Sequence, residues 1–325
     1  MLHLLPLTTL LLLASASLSP YPQEPGPLPL IIWHGLGDNY AADGLAEVGE
    51  LAIETNPGTF VYNIRLSEDA SSDRTATFFG NVTTQIARVC EDIASHPILS
   101  TAPALNALGF SQGGQFLRGY IERCNNPPIR NLVTFGSQHN GIAKYQGCGA
   151  TDWLCKGAMA LLRMNTWSDY IQSHLVPAQY YRSTNATTGE PTEEYLEHSN
   201  FLADINNERA LKNKTYAKNL AKLDKLVMYL FEDDTTVIPK ETGWFAQTNI
   251  ETGEVTELRD RTIYKEDWIG LKELDKKGGL EFKATEGGHM QLSDKVLVDV
   301  FKTYFSPAEE SWHGALNEGQ EIVEL

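Results

Sequence analysis

The sequence predicts an α/β fold, in which helices cover both faces of a mostly parallel central sheet. Apolar runs of strand length alternate along the chain with segments whose apolar residues recur at helical spacing. The composition, with 42% hydrophobic and 21% charged residues, is that of a globular protein. Its 325 residues are enough for one large domain or two modest ones, each with an ample core.

The predicted strands are short apolar runs, which suit strands that are buried on both faces. They lie at residues 28–33, 59–64, 105–110, 129–135, 225–231 and 280–284. Each predicted helix carries one apolar stripe. In chain order the stripes are Leu45, Val48, Leu51 and Ala52; Val82, Ile86, Val89, Cys90 and Ile93; Phe116, Tyr120 and Ile121; and Leu297, Val300, Phe301 and Tyr304. Ser293 is a candidate N-cap for the last helix.

Two segments interrupt this alternation. Residues 142 to about 220 are rich in Trp, Tyr, Asn and Lys, and we expect helices and loops inserted above the sheet. Residues 306–325 contain five Glu and no Lys or Arg, a composition that favours a disordered tail. We therefore predict a single domain over residues 19–305 that includes the insertion.

The N-terminus has the pattern of a secretory signal peptide over residues 1–18. An apolar run at 4–13 is followed at 14–17 by Ala-Ser-Ala-Ser, small residues typical of a cleavage site. The run is too short to cross a ~30 Å hydrocarbon core. No Lys or Arg precedes it, which is atypical, and a buried core segment is the alternative. No later stretch has the length of a transmembrane helix, so we expect a soluble mature chain.

Four cysteines and three glycosylation sequons agree with export. Four cysteines allow three pairings, and the short separation of Cys148 and Cys155 favours a local bridge, which leaves Cys90 with Cys124. A zinc site is the alternative, although neither C-x-x-C spacing nor paired histidines accompany the cysteines. The three sequons begin at Asn81, Asn185 and Asn213.

The charge balance argues against a nucleic-acid partner. The chain has 26 Lys+Arg against 42 Asp+Glu, a formal net charge of −16, and it contains no run of basic residues. A phosphate-binding surface needs concentrated Lys and Arg.

The strongest functional signal is a G-x-S-x-G pattern at residues 109–113, between a predicted strand and a predicted helix. Its glycines permit a tight, strained turn that exposes the serine. The helix that follows directs its N-terminal amides at an oxyanion formed there. We predict that Ser111 is a nucleophile; the alternative is a structural serine in a turn.

A serine nucleophile needs a base, because its hydroxyl is scarcely ionised at neutral pH. His289 lies in a glycine-rich loop before the last helix, where its ring can reach the sheet edge, and His139 is the main alternative. An acid must then orient the imidazole. Asp233 and Asp234 both follow the predicted strand at 225–231, and spacing does not decide between them. The order Ser, Asp, His along the chain is that of α/β-hydrolases.

Two amides are expected to form an oxyanion hole. One belongs to Gln112, the residue after the candidate nucleophile. The other is predicted in the glycine-rich loop at 33–38, where we favour the amide of Leu36. The alternative for this loop is a plain turn between a strand and a helix.

These motifs together resemble the palmitoyl-protein thioesterases, in particular their lysosomal type-1 form. The resemblance extends over about residues 28–305 and is far more specific than the G-x-S-x-G pattern alone. It is carried by Ile-Trp-His-Gly-Leu-Gly-Asp at 32–38, Gly-Phe-Ser-Gln-Gly-Gly-Gln-Phe-Leu-Arg at 109–118, Phe-Leu-Ala-Asp-Ile-Asn at 201–206, Gly-Leu-Lys-Glu at 270–273 and Ala-Thr-Glu-Gly-Gly-His-Met-Gln-Leu-Ser at 284–293.

The resemblance implies an α/β-hydrolase fold and a set of site residues. It places the nucleophile on Ser111, the histidine on His289 and the acid on Asp234 rather than Asp233. It also implies the disulfides Cys90–Cys124 and Cys148–Cys155.

The sequence departs from the family pattern in three places. One family glycosylation site matches Asn213, but Glu197 stands at the position of another. A vicinal cysteine pair of the family is absent, and Asn39 and Tyr40 occupy that region. The acidic tail after Ser306 extends beyond the family pattern.

The function that the resemblance implies is hydrolysis of long-chain fatty acyl thioesters, palmitate in particular, on cysteines of lipidated proteins during lysosomal or vacuolar degradation. The implied partners are S-palmitoylated proteins or peptides and acyl-CoA-like thioesters, with transient contact to lipid. No metal or organic cofactor is implied. The expected location is the secretory pathway, with the lysosome, the vacuole or the outside of the cell as destination. The alternatives are a lipase-type esterase that uses the same triad and a non-catalytic lipid-binding protein.

A palmitoyl chain requires a long apolar groove, because each buried methylene contributes roughly 0.8 kcal/mol. We expect the insertion to provide this groove. Apolar residues available there are Trp153, Leu154, Met159, Leu161, Leu162, Met164 and Trp167.

Overall fold

The centre of the computed structural model, which describes residues 26–145, 147–149, 151–162 and 165–307, is a six-stranded parallel sheet. The strands in chain order are β1 (Leu30–Trp33), β2 (Val61–Asn63), β3 (Leu105–Phe110), β4 (Ile129–Phe135), β5 (Lys225–Phe231), β6 (Gln247–Thr248), β7 (Val255–Thr256) and β8 (Leu280–Thr285). The sheet order is β2-β1-β3-β4-β5-β8, while β6 and β7 form a separate antiparallel hairpin. All six predicted strands are present, and the prediction of a mostly parallel sheet is confirmed.

Twelve α-helices lie in the described part of the chain. They are α1 (Asp43–Thr55), α2 (Ala70–Ala76), α3 (Val82–Ser95), α4 (Gln112–Arg123), α5 (Trp153–Leu162), α6 (Asp169–His174), α7 (Glu193–His198), α8 (Leu202–Ile205), α9 (Lys214–Leu220), α10 (Thr262–Lys265), α11 (Leu271–Lys276) and α12 (Asp294–Val300). A π-helical turn, Phe301–Phe305, follows α12. Four of the five residues of the predicted α3 stripe are buried and Cys90 is partly buried. Asn81 caps this helix by accepting a 3.0 Å hydrogen bond from the Thr84 amide.

Each face of the sheet packs in its own apolar cluster. Leu30 and Ile32 of β1 pack in one cluster with α1 and α12, whereas Ile31 and Trp33 pack in the other with α3 and α4. Successive side chains of a strand point to opposite faces, so each strand contributes to both clusters. Helices therefore cover both faces, as predicted.

The prediction that the Ser293 side chain caps α12 is wrong. Ser293 stands at the N-cap position, but its side chain makes no capping hydrogen bond. Its backbone carbonyl instead accepts from the amides of Val296 and Leu297.

The segment between β4 and β5 contains helices α5 to α9. Helices α5 and α6 form an apolar cluster with Phe78, and Leu36 packs against this cluster. Residues of α8 and α9 belong instead to the cluster under α4. Met164, the predicted signal peptide and the tail after residue 307 lie outside the described residues.

Two disulfides tie helices to their neighbours. Cys90 of α3 is joined to Cys124 at the end of α4, and Cys148 is joined to Cys155 of α5. All four cysteines are therefore engaged in disulfides rather than available as zinc ligands.

No helix in the described ranges combines the length and the apolar character needed to cross a bilayer.

Candidate active site

Ser111 stands at a strained turn between β3 and α4. Its backbone has φ 51° and ψ −124°, a conformation that a residue with a side chain rarely adopts. The serine is 9% exposed, at the carboxyl edge of the parallel sheet. Parallel α/β sheets bind their ligands at this edge.

The glycines of the motif permit this turn because the surrounding backbone leaves no room for a Cβ atom. A Cβ on Gly109 would collide with the backbone of Gly114, and one on Gly113 would collide with the carbonyl of Trp33. Helix α4 therefore packs directly against the ends of β1 and β3, and its first amides lie beside Ser111.

The structure brings Ser111, His289 and Asp234 together. His289 Nε2 lies 3.1 Å from Ser111 Oγ, and His289 Nδ1 lies 2.7 Å from Asp234 Oδ2. Asp233 is exposed, and its backbone amide bonds to Gly287. Of the two aspartates, it is thus the carboxylate of Asp234 that contacts the histidine.

The environment of Asp234 keeps its carboxylate ionised. Burial raises the pKa of Asp234. The hydrogen bond and charge of His289, together with hydrogen bonds from the amides of Val237 and Thr236, outweigh this effect, so the pKa of Asp234 is lowered. Asp234 Oδ1 accepts from these amides at 3.0 and 2.8 Å. An ionised, fixed carboxylate can orient the imidazole and stabilise an imidazolium.

The other candidate base, His139, is buried in a different environment. Its ring stacks on Phe245, and Nε2 lies 3.1 Å from Thr134 Oγ1. Complete burial and the nearby Arg118 lower the pKa of His139 well below its usual value. His139 is therefore held neutral, and it does not line the cavity at Ser111.

The two predicted oxyanion donors belong to segments that adjoin Ser111. Gln112 is the first residue of α4. A Cβ placed on Gly35 would lie 3.1 Å from Ser111 Cβ, so the loop after β1 lies close to Ser111. Leu36, which follows Gly35, lines the same cavity as Ser111 and His289.

Helix α2 holds this loop in place, a role that the sequence did not reveal. Asp73 Oδ2 lies 3.0 Å from His34 Nε2, and Arg74 Nε donates to the Gly37 carbonyl at 2.7 Å. Thr77 accepts from the Gly37 amide at 2.9 Å. The loop is thereby fixed from both of its ends.

A cavity of about 780 Å³ opens at Ser111 and His289. On one side it is lined by residues of the insertion and its surroundings, and we name this part the insertion arm, defined by Ile142, Tyr145, Met159 and Tyr180. On the other side it is lined by α1 and by the segment after His289, and we name this part the α1 arm, defined by Leu45, Val48, Leu51, Met290, Leu292 and Leu297.

Six of the seven apolar residues predicted for the groove lie in the described ranges, and of these Met159 alone lines the cavity. Trp153 is 79% exposed, and Leu162 is buried among the helices of the insertion. The rest of the insertion arm comes from Ile142 and Tyr145, which lie in an irregular segment, and from Tyr180, which ends a short 3-10 helix (Val176–Tyr180); neither segment has an apolar period. Periodicity therefore had no signal from which to find them.

The comparisons with known proteins agree with this geometry. The sequence profile described as palmitoyl protein thioesterase matches residues 29–289. Palmitoyl-protein thioesterase 1 of Caenorhabditis elegans is 36% identical over 283 residues, which cover 86% of this chain and 92% of the relative. Palmitoyl-protein thioesterase 3 of Dictyostelium discoideum is 31% identical over 279 residues, covering 86% and 89%. Lysosomal thioesterase PPT2-B of Xenopus laevis is 27% identical over 291 residues, covering 87% and 92%.

Among solved structures, a carboxyl esterase of the fungus Tuber melanosporum is similar with a TM-score of 0.42 and 13% identity, covering 86% of this chain and 79% of the esterase. The family assignment rests on the profile and on the sequence relatives. With a profile match over most of its length and relatives above 30% identity across nearly their whole chains, this chain belongs to the palmitoyl protein thioesterase family.

Proposed function

We propose that this protein removes long-chain fatty acyl groups, palmitate in particular, from S-acylated cysteines of proteins or peptides. One observation carries the proposal: Ser111 and His289, the latter bonded to Asp234, line a cavity of about 780 Å³ whose insertion arm is apolar and aromatic. The family relatives named as palmitoyl-protein thioesterases support the choice of substrate.

In the proposed mechanism, Ser111 Oγ attacks the thioester carbonyl while His289 Nε2 accepts its proton. The amides of Gln112 and Leu36 stabilise the oxyanion, and Asp234 stabilises the imidazolium. Collapse of the tetrahedral intermediate breaks the C–S bond, and the leaving cysteine sulfur takes the proton from His289 and departs as the thiol. Water then attacks the acyl-serine ester with His289 again as base, and the fatty acid is released.

The acyl chain is assigned to the insertion arm. Ile142, Tyr145, Met159 and Tyr180 offer apolar surface that leads away from Ser111. Tyr180 and Tyr145 are also held by their neighbours: Tyr145 stacks on Tyr181, and the Tyr180 hydroxyl donates to the Gln112 side chain at 3.3 Å. Fixed aromatic walls are suited to a long, flexible chain, because they need not be ordered on binding.

The same triad also serves esterases, so the leaving group must be tested directly. Hydrolysis of S-palmitoyl and O-palmitoyl forms of one peptide, with cysteine exchanged for serine, separates a thioesterase from a lipase-type esterase. Faster turnover of the oxyester would favour the esterase. Binding of the acyl peptide without turnover would favour the non-catalytic lipid-binding protein.

We place the protein in the secretory pathway, with a lysosomal or vacuolar role. The two disulfides and a relative named as a lysosomal thioesterase support this location. We further propose N-glycosylation at Asn81, Asn185 and Asn213. In each of these side chains Oδ1 accepts a nearby backbone amide, which orients the amide nitrogen that carries a glycan.

A further inference from the structure

The α1 arm of the cavity has no role in the mechanism so far. Its apolar residues belong to the cluster on the α1 and α12 face of the sheet, whereas Ile142 and Tyr180 of the insertion arm belong to the cluster on the opposite face. Ser111 and His289, at the edge of the sheet, line the same cavity as both arms. The catalytic edge of the sheet therefore separates two binding surfaces.

The chemistry of a thioester requires two such surfaces. At a carbonyl bound to Ser111, the acyl chain extends to one side and the sulfur with its peptide extends to the other. When the acyl chain occupies the insertion arm, the peptide that carries the cysteine lies toward the α1 arm.

The α1 arm is strongly acidic. Glu47, Glu50 and Glu54 of α1 and Asp294 at the start of α12 line it, while Asp38 lines the cavity from the loop after β1; no described residue that lines the cavity is a lysine or an arginine. None of the five makes an ion pair within the described ranges. Glu47, Glu50 and Glu54 are exposed and stand at i, i+3 and i+7 on α1, so their like charges repel one another. An incoming cation would relieve this repulsion.

We propose that the α1 arm binds the peptide that carries the S-acylated cysteine, and that it selects segments in which Lys or Arg flanks this cysteine. The inference rests on the proposed function and specifies its substrate class. The cavity follows α1 from Gly44 to Glu54, a distance of ~15 Å. An extended peptide advances ~3.3 Å per residue, so the arm accommodates about four or five residues. Apolar side chains between the basic ones would contact Leu45, Val48 and Leu51.

The test uses S-palmitoyl peptides that carry three Lys, three Gln or three Glu within four residues of the cysteine. Each peptide is made in two forms, with these three residues on the N-terminal or on the C-terminal side of the cysteine. Each kcat/KM value is divided by that of the same protein on the palmitoyl thioester of a small neutral thiol. Exposed ion pairs each change binding by about fivefold at most, and salt screens them. We expect a Lys-over-Glu preference on the order of tenfold at low ionic strength on one side of the cysteine, and its loss at ~1 M salt.

The variant Glu47→Gln, Glu50→Gln, Glu54→Gln should bring the preference close to one. The matched control, Glu91→Gln, Glu193→Gln, Glu194→Gln, removes the same charge from exposed glutamates that do not line the cavity. It should keep the preference of the unmodified protein. Palmitoyl-CoA, whose leaving group is anionic, should be a poorer substrate than the Lys peptide.

Equal rates on Lys and Glu peptides, or an undiminished preference in the α1 variant, would overturn the inference. Val48→Trp tests which arm binds the acyl chain, with sixteen-carbon and four-carbon thioesters of the neutral thiol as substrates. A loss of activity on the sixteen-carbon thioester alone would place the acyl chain in the α1 arm and would also overturn the inference. Turnover of the neutral palmitoyl thioester without any charge preference refutes this inference alone. Failure to hydrolyse any palmitoyl thioester refutes the proposed function with it.

Discussion

Asp73 contacts His34 through a buried 3.0 Å hydrogen bond that joins helix α2 to the loop after β1. Asp73 also accepts from the amides of Leu66 and Tyr40, at 2.6 and 2.9 Å. Burial raises the pKa of Asp73, but these hydrogen bonds outweigh burial and lower it, so the carboxylate is ionised. His34 is followed by Gly35, which lies close to Ser111, and by Leu36, which lines the same cavity as Ser111. This contact therefore positions one half of the proposed oxyanion hole.

Asp73→Asn should lower kcat while leaving KM nearly unchanged. The amide group that replaces one carboxylate oxygen would face a backbone amide, donor against donor, and the loop would shift. Removal of an oxyanion donor itself costs about 10²–10³ in kcat, so we expect a loss of about ten- to a hundredfold from this indirect effect. Steady-state kinetics on a palmitoyl thioester, together with thermal unfolding, measures it. A fall in activity that merely follows the unfolded fraction would contradict the positioning role.

Asp234→Asn should reduce kcat by about three to four orders of magnitude, because the amide favours the wrong imidazole tautomer. The matched control is Asp233→Asn, since Asp233 is adjacent in the chain and exposed. This control should be nearly neutral. Comparable losses from the two substitutions, or the reverse ranking, would refute the assignment of the acid to Asp234.

Met159→Trp should impair long acyl chains selectively. Met159 lines the insertion arm, and a larger ring there would displace about two methylenes, at ~0.8 kcal/mol each. The rate on sixteen-carbon thioesters should fall about tenfold relative to four-carbon ones. Trp153→Ala is the control on the same helix, because Trp153 is 79% exposed and does not line the cavity. Equal losses on both chain lengths would place the acyl chain elsewhere.

The buried pair of Arg118 and Glu122 makes stability depend on pH. Arg118 Nη1 donates to Glu122 Oε1 at 2.8 Å, and both side chains are fully buried. Burial raises the pKa of Glu122 from 4.5 to about 7, although Arg118 opposes the rise. Since the folded protein holds a proton that the unfolded chain releases, this stabilisation is complete below about pH 4.5 and is lost as the pH rises through about 7.

Glu122→Gln should flatten the pH dependence of stability. Glutamine resembles the protonated acid, so the variant should lose less stability between pH 5 and about pH 8 than the unmodified protein. Denaturant unfolding at several pH values measures the free energy of unfolding for both proteins. Parallel pH profiles would show that Glu122 does not titrate in this range.

The features that could be predicted from the sequence are those formed by buried apolar runs, by apolar residues at helical spacing or by glycines in a tight turn. The strands are apolar runs flanked by turns, and four of the five residues in the stripe of α3 are buried as their spacing indicated. The turn at Ser111 was predictable because Gly109 and Gly113 stand where a Cβ would collide with backbone.

The elements that the sequence did not reveal lack these patterns. Asp73 is the sole buried residue of α2, so the helix has no apolar stripe. The strands of the β6–β7 hairpin are two residues each and are half-exposed or exposed, too short for an alternating pattern. The cavity depends on how the loop at Tyr145 and the short 3-10 helix that ends at Tyr180 pack, which follows from tertiary contacts rather than from spacing.

The most direct test of the central claim is the hydrolysis of an S-palmitoyl peptide by the purified protein and by its Ser111→Ala variant, with the covalent adduct measured by mass spectrometry. We expect rapid turnover, a palmitoyl group transiently attached to Ser111, and a variant that folds normally but neither reacts nor acquires the adduct. Hydrolysis that persists in a clean Ser111→Ala preparation, or an adduct on another residue, would contradict the account.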